Sequence, residues 1–261
     1  MRLKYLSGLA LAWPMERLLR ARWFPLFRTF LSRRHWVYDV CRFAGTRDFR
    51  IVFDVGANVG QTALYVRGFF PHADIHSFEP VSDTFRQLED NLRSWPNLHA
   101  HRLALGRAPE SREIVLQDCS ELNSLAFTPG PGPAATGRVE RIEIGTLDQF
   151  CEARGLDGID ILKTDAQARD VDVLAGAERL ISSAKIPFIY TEVTFQPDDT
   201  TNTTYAAINE YLSPRGWRLA GIYEQNGCGP RSSWLGYSNA LFVHPEALRR
   251  RFPTSQVDSG G

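Results

Sequence analysis

Two carboxylates hold positions from which they could do chemistry. Asp54 opens the stretch Asp54-Val-Gly-Ala-Asn-Val-Gly60 directly after the apolar run Ile51-Val-Phe, and Glu79 lies in Phe78-Glu79-Pro80, twenty-five residues further on. A carboxylate at the end of a buried strand can accept hydrogen bonds from a cationic amine or from both hydroxyls of a ribose. Between them, Gly56 and Gly60 permit a tight turn through Ala57 and Asn58 into a helix whose first N–H groups and positive dipole end are free. A second group lies further along: Lys163, Asp165 and Glu192, three ionisable side chains in otherwise apolar stretches. Such residues on neighbouring buried strands are costly unless paired or functional. Lys163 and Asp165 share one strand face, with Asp165 at the carboxyl-terminal lip. A carboxylate there could take the proton from a hydroxyl, which is a poor nucleophile until that proton leaves. Lys163 reads first as the counter-charge to Asp165 or Glu192.

The elements that must position these residues follow from periodicity. Residues 1–50 read as helical, with Leu18, Leu19, Trp23, Phe27, Phe30 and Leu31 at helical spacing between arginines. From Arg50 the pattern becomes strand–helix alternation. Strands are expected at 51–55, 73–78, 98–105, 159–164 and 187–193, each followed by a helix or a turn. Residues 106–145 interrupt the order with two β-like runs, 111–116 and 139–144, around a Pro/Gly-rich loop at 128–137. Thr146 and Gln149 form a capping-box start for a short helix. Residues 217–223 and 239–243 close the pattern as an antiparallel hairpin. The expected fold is therefore α/β: a seven-stranded, mostly parallel sheet with helices on both faces and an antiparallel end, preceded by an N-terminal helical segment. The expected divisions are a basic segment at 1–50, one large domain at 51–245 with a β-rich insertion at 106–145, and a tail at 246–261.

Lips of neighbouring parallel strands are where open α/β sheets bind ligands. A nicotinamide enzyme would use the same lips, but its fingerprint is Gly-x-Gly-x-x-Gly, whose second glycine admits a pyrophosphate. Here Gly56 and Gly60 are separated by three residues, and Asp54 precedes the first by two. That order suits S-adenosyl-L-methionine, which has an ammonium group and no pyrophosphate. A plain strand–turn–helix with glycines for geometry alone is the bland alternative.

The chain resembles the FkbM-type methyltransferases. The likeness is carried by Phe53-Asp-Val-Gly-Ala-Asn-Val-Gly-Gln-Thr62, Ser77-Phe-Glu-Pro80, His101-Arg-Leu-Ala-Leu-Gly106, Asn123-Ser-Leu125, Gly145-Thr-Leu-Asp148, Ile159-Asp-Ile-Leu-Lys-Thr-Asp165, Val173-Leu-Ala-Gly-Ala177, Thr191-Glu-Val-Thr-Phe195 and Asn239-Ala-Leu-Phe-Val243. The resemblance implies a Rossmann-like class I methyltransferase fold. It implies that Asp54, Gly56, Asn58, Gly60 and Glu79 hold the cofactor, with Ala57 and Pro80 in the same turns and Ala104 near the adenine. It also implies O-methylation of a sugar, glycolipid or secondary-metabolite hydroxyl. One departure stands beside Asp165. Such chains usually continue with a Gly and then a Glu on the helix, where this one has Ala168 and Asp170. Ala168 would strain a turn that prefers glycine, and Asp170 reaches about one methylene less far. A non-catalytic module on the same fold, and an amine methyltransferase, are the alternatives.

Composition narrows the remaining classes. The 261 residues carry 30 basic and 30 acidic side chains, so a main task of gripping nucleic acid is not expected. Residues 1–50 stand at +8 and the remainder at −8. The aromatic, arginine-rich segment has three readings: a lid over the acceptor site, a homodimer surface, or a peripheral membrane-surface contact. The four cysteines form no Cys-x-x-Cys pair, and the apolar run at 5–13 is too short to span a bilayer, so a cytoplasmic protein is expected. No metal is expected, because Asp165 and Glu192 supply only two of the oxygen ligands a cation needs. The six histidines look scattered, each more often structural than catalytic. The remaining partner is a small-molecule or glycan acceptor.

Overall fold

Ile51-Val-Phe-Asp-Val alternates between two apolar environments, as a strand buried on both faces must. In a computed structural model, which describes residues 35–117 and 135–253, it forms β1 (Ile51–Val55) at the centre of a seven-stranded sheet. Val52 joins an apolar layer with Ile75, Ile161, Phe188 and Leu241, while Phe53 and Val55 join the opposite layer with Leu162, Ile189 and Phe242. The remaining strands of this sheet are β2 (Asp74–Phe78), β3 (Leu98–His101), β7 (Ile161–Thr164), β8 (Phe188–Thr194), β9 (Arg218–Cys228) and β10 (Trp234–Val243), in the order β3-β2-β1-β7-β8-β10-β9. The pairs β1–β2, β2–β3, β1–β7 and β7–β8 are parallel, and β10 runs antiparallel to both β8 and β9. The order reverses at β1, so the crevice between β1 and β7 is the topological switch point. The expected Rossmann-like class I architecture is what the chain adopts.

Helices cover both faces. On the first lie α1 (Trp36–Ala44), α2 (Gln61–Arg67) and α3 (Ser82–Leu92); on the second lie α4 (Leu147–Ala153), α5 (Asp170–Ala175), α6 (Glu178–Ser182) and α7 (Tyr205–Leu212). Thr146 caps α4 by accepting the Gln149 N–H at 3.2 Å, as the capping motif predicts. Helix α8 (Pro245–Arg251) is a difference from the expected tail: Phe252 packs edge-on against Phe49, and Arg251 pairs with the buried Asp160.

Two further differences have simple causes. The strand expected over 98–105 is broken at Arg102 and Leu103. Its second piece, β4 (Ala104–Leu105), leaves the large sheet and pairs with β6 (Ala135–Gly145), which also pairs antiparallel with β5 (Glu110–Gln117). The 106–145 insertion thus adds two strands to β4, making a three-stranded sheet that packs an apolar core of Val81, Ala104, Ile114, Leu116, Ile142 and Ile144. Since β6 begins at Ala135, the last part of the expected 128–137 loop is strand; the rest of that loop, with the Asn123-Ser-Leu125 motif, lies outside the described residues. The helix expected across Val171–Ile181 is two helices, because Gly176 interrupts it where Gly106 passes: a Cβ there would lie 2.0 Å from the Gly106 carbonyl oxygen. Of the N-terminal segment only residues from 35 are described, so Trp23, Phe27 and Phe30 fall outside.

Candidate active site

The turn after β1 is built against its neighbours. Gly56 and Ala57 both donate N–H bonds to the Phe78 carbonyl at the end of β2 (3.1 and 3.0 Å), which ties the two lips together. Gly56 takes φ +74°, and a Cβ on it would sit 2.0 Å from the Asp165 carbonyl oxygen. The β7 lip by itself therefore demands glycine here. Gly60 takes φ +91°, which favours glycine, and a Cβ there would press on the Leu88 side chain of α3 at 2.9 Å. Asn58 holds φ +49° within the turn.

Asp54 and Lys163 face one another in the β1–β7 register, and the Lys163 ammonium lies 3.2 Å from Asp54 and 3.4 Å from Asp165. Asp54 is only 1% exposed and accepts no well-formed hydrogen bond despite the nearby ammonium. Burial raises its carboxyl above the usual range, opposed by Lys163. Burial alone would depress the Lys163 amine, but Asp54 and Asp165 outweigh it and leave the amine raised, so it stays charged. The sequence reading gives Asp54 a cofactor amine as partner; the amine that it faces here belongs to Lys163. That reading also gives Lys163 Asp165 or Glu192 as partner, and Asp54 proves to be the closer one.

Glu79 is 8% exposed, and its Oε1 accepts the Val81 N–H at 3.0 Å. Burial pushes its carboxyl up to about 7, against the hydrogen bonds that it accepts from the Val81 and Asn58 amides. Pro80 follows it, half-buried. The small sheet braces this lip: Glu140 of β6 accepts from both the N–H and the hydroxyl of Ser82 (2.8 and 2.9 Å). Ala104 is buried in that same sheet. The structure thus brings Asp54, Gly56, Ala57, Asn58 and Glu79 around one double turn, with Ala104 set in the adjoining sheet.

A second row of ionisable and polar side chains lies along the face that carries Asp54. Strand register places Lys163 opposite Tyr190, and Glu192 opposite Asn239. Glu192 is pushed up to about 8, first by burial and then by the nearby charge of Asp165, with Lys163 acting the other way. Asp170, by contrast, does not reach this face. It is 1% exposed, accepting the Ala166 N–H (3.0 Å) and the Thr203 hydroxyl (2.8 Å), so it latches the turn after Asp165. Ala168 in that turn holds φ +66°, the strain expected of a residue standing where glycine is usual.

Sequence reasoning missed two features. One is Glu224, whose carboxylate accepts from Asn239 at 2.8 Å; no sequence pattern marks it. The other is that three of the six histidines meet: His76 Nδ1 lies 2.9 Å from His101 Nε2, and His76 stacks on His99 at 4.7 Å. The register of β2 with β3 brings them together, and alternation of apolar and His positions in both strands was the available signal. Among the described residues no group of metal-ligating side chains is disposed to hold a metal ion.

Residues 54–219 match the profile of the methyltransferase FkbM domain. The chain belongs to the FkbM methyltransferase family. Its cofactor is S-adenosyl-L-methionine. Three curated relatives are similar to it. They are the AMB antimetabolite synthetase AmbE of Pseudomonas aeruginosa (26% identical over 203 residues, 65% of this chain and 10% of the relative), Methyltransferase 1 of Beauveria bassiana (27% over 158 residues, 54% and 62%) and the 2-O-methyltransferase NoeI of Sinorhizobium fredii (24% over 163 residues, 56% and 64%). The aligned regions thus span less than two thirds of each relative's own length. Two observations leave the double turn able to take the cofactor: Asp54 is a buried carboxylate without a hydrogen bond of good geometry, and Glu79 stands at the neighbouring β2 lip. No helix among the described residues is long and apolar enough to cross a membrane.

Proposed function

We propose that this methyltransferase acts on a hydroxyl oxygen of a sugar, glycolipid or secondary metabolite, with a small-molecule or glycan acceptor and no nucleic-acid partner. The observation that supports it most is Glu192, a carboxylate pushed up to about 8 beside the Asp165–Lys163 pair. A general base works best with a pKa near the working pH, and Glu192 meets that condition on the acceptor side of the sheet. NoeI, a 2-O-methyltransferase by name, is a relative in line with an oxygen acceptor.

The bound cofactor supplies an electrophilic methyl group. Glu79 would hold its ribose hydroxyls, and Asp54, with Lys163, would set the charge beneath the turn. Asp165 would orient the acceptor hydroxyl from the lip, and Glu192 would take its proton as the oxygen is methylated. The Lys163 ammonium lies between the Asp54 and Asp165 carboxylates and offsets their charge, and Glu192 is the group placed to take the proton. A non-catalytic module draws its support from Ala168 and Asp170. That support weakens because Asp170 serves the turn itself. For the N-terminal segment the lid is favoured over a dimer or membrane contact: α1 stacks Trp36 on Tyr190 at 4.3 Å and anchors Asp39 to the Tyr223 hydroxyl at 2.7 Å, on the acceptor face.

Asp165→Asn tests the assignment, because it keeps shape while removing charge. Turnover should fall roughly 10²–10⁴-fold while affinity for S-adenosylhomocysteine stays within a few-fold. The measurement is single-turnover transfer of labelled methyl into pooled glycans and lipid extracts. Near-normal turnover would remove Asp165 from the reaction.

A further inference from the structure

Strand β9 does not pair evenly with β10. Asn239 opposes Tyr223 and Tyr237 opposes Asn226, so three steps along β9 match two along β10. The extra residue makes a β-bulge, and Glu224 within it takes φ +51°. A non-glycine residue rarely holds that conformation without a reason, and bulges characteristically re-aim a side chain. Here the result is specific. Tyr223 already points into the apolar layer beneath α1, and the bulge turns the next residue so that the Asn239 amide donates to Glu224 Oε2 at 2.8 Å. Asn239 is the β10 partner of Glu192, so Glu224 joins the acceptor side one strand beyond it. The buried Tyr190 hydroxyl lies beside the Glu224 carboxylate and is directed at it. Glu224 itself stays open to solvent on one side, while the protein packed around the other raises its carboxyl above the usual range.

We infer that Glu224 is an acceptor-binding residue, which accepts a hydrogen bond from a second donor of the acceptor beside the hydroxyl that is methylated. This rests on the oxygen-methylation proposal. Asn239 and the neighbouring Tyr190 hydroxyl fix the rotamer, leaving the solvent-facing lone pairs of the carboxylate for the ligand. The acceptor is then at least a diol. A site built around such a bond discriminates strongly against an analogue that lacks the hydroxyl.

The probes are myo-inositol, with a hydroxyl on every ring carbon, and cyclohexanol, with one, observed by saturation-transfer NMR on the full chain saturated with S-adenosylhomocysteine. Wild type should bind inositol in preference to cyclohexanol. Glu224→Gln, which keeps the Asn239 bond, and Glu224→Gly, which relieves the backbone, should both weaken inositol binding on the order of tenfold. Affinity for S-adenosylhomocysteine should not change. Glycine suits φ +51°, so Glu224→Gly should melt within about 2 °C of wild type or above it, whereas a residue kept for the fold would lose stability. Unchanged inositol binding in both variants, equal binding of the two probes by wild type, or a Glu224→Gly protein melting well below wild type overturns the assignment. Failure of wild type to bind S-adenosylhomocysteine overturns the underlying function instead, and the inference with it.

Discussion

The sheet carries two clusters of titratable side chains on opposite faces, and they behave differently. Along one face run Asp54, Lys163, Asp165 and Glu192, with opposite charges interleaved and one carboxylate pushed up to about 8. On the other face His76, His99 and His101 stack among Phe53, Phe78 and Phe150 near the β3 edge. Burial, together with neighbouring histidines and Arg154, pulls His76 down to about 4 and His101 to about 3. His76 and His101 are therefore neutral at ordinary pH, and they share one hydrogen bond. Clustering alone does not make a reacting site. The first cluster can hold a charge and move a proton; the second is an aromatic packing unit that happens to be made of bases.

The largest expected effect comes from Lys163→Met. Removing the ammonium leaves Asp54 buried beside Asp165 without its counter-charge, and breaking such a pair costs about 3–5 kcal/mol. Denaturant unfolding should show that loss, whereas His101→Phe on the other face should cost about 1–2 kcal/mol at most, since a ring of similar size remains. Equal losses would erase the distinction between the clusters. Next is Glu79→Ala. Two charge-assisted bonds to ribose, each about 1.5–3 kcal/mol before water compensates, should weaken S-adenosylhomocysteine on the order of tenfold to a hundredfold or more by calorimetric titration. An unchanged affinity in a folded variant would remove the double turn from cofactor binding.

The two faces also respond to pH with opposite sign. Glu192 binds a proton in the folded protein up to about pH 8 but loses it near 4.5 when unfolded. Its folded state binds more protons in that window, so stability contributed by this site falls as pH rises from about 4.5 to 8. His76 and His101 are depressed when folded, so they bind fewer protons than the unfolded chain below 6.5. Their contribution is present above that value and is lost as pH falls through about 4. Glu192→Gln should flatten the neutral-to-alkaline side of the stability profile and abolish the rise of turnover toward pH 8. His101→Phe should flatten the acid side and leave the turnover profile alone. Thermal melts and turnover followed between pH 4 and 8.5 decide both, and a variant that alters the wrong limb contradicts the assignment.

How much of this was legible beforehand differs between the same two regions. Asp54, Glu79, Lys163, Asp165 and Glu192 stand out in sequence because ionisable residues at the ends of apolar runs are rare, and parallel register then brings them together. Partner choice was not legible: which carboxylate Lys163 meets depends on side-chain reach across strands. Glu224 was hidden because a bulge changes which way a residue points without altering composition. The histidines were hidden because their meeting depends on the one register that pairs His76 with His99. The break after His101 was hidden too, since Ala104 and Leu105 are apolar and continue a strand pattern while pairing with a different sheet.

The smallest expected effect bears on the turn that follows Asp165. Ala168 sits at φ +66° and its neighbour Gln167 at +49°, while the Asp170 carboxylate holds the turn by accepting the Ala166 N–H. Alanine in that region carries strain that glycine does not, although glycine costs more entropy on folding. The strain relieved and the entropy lost are of similar size, about 1 kcal/mol each, so Ala168→Gly should shift the melting temperature by only about 2–4 °C, upward if the strain is the larger. Its effect on turnover should be more telling. If the turn holds Asp165 at the acceptor, added freedom at 168 should lower turnover about two- to tenfold without changing affinity for S-adenosylhomocysteine. Asp170→Asn should reproduce the turnover loss, because it weakens the same latch from the other side. The histidine face offers the control: His99→Gln, on the far side of the sheet, should alter neither turnover nor cofactor affinity. A turnover loss there equal to that of Ala168→Gly would mean that the turn matters only through general stability.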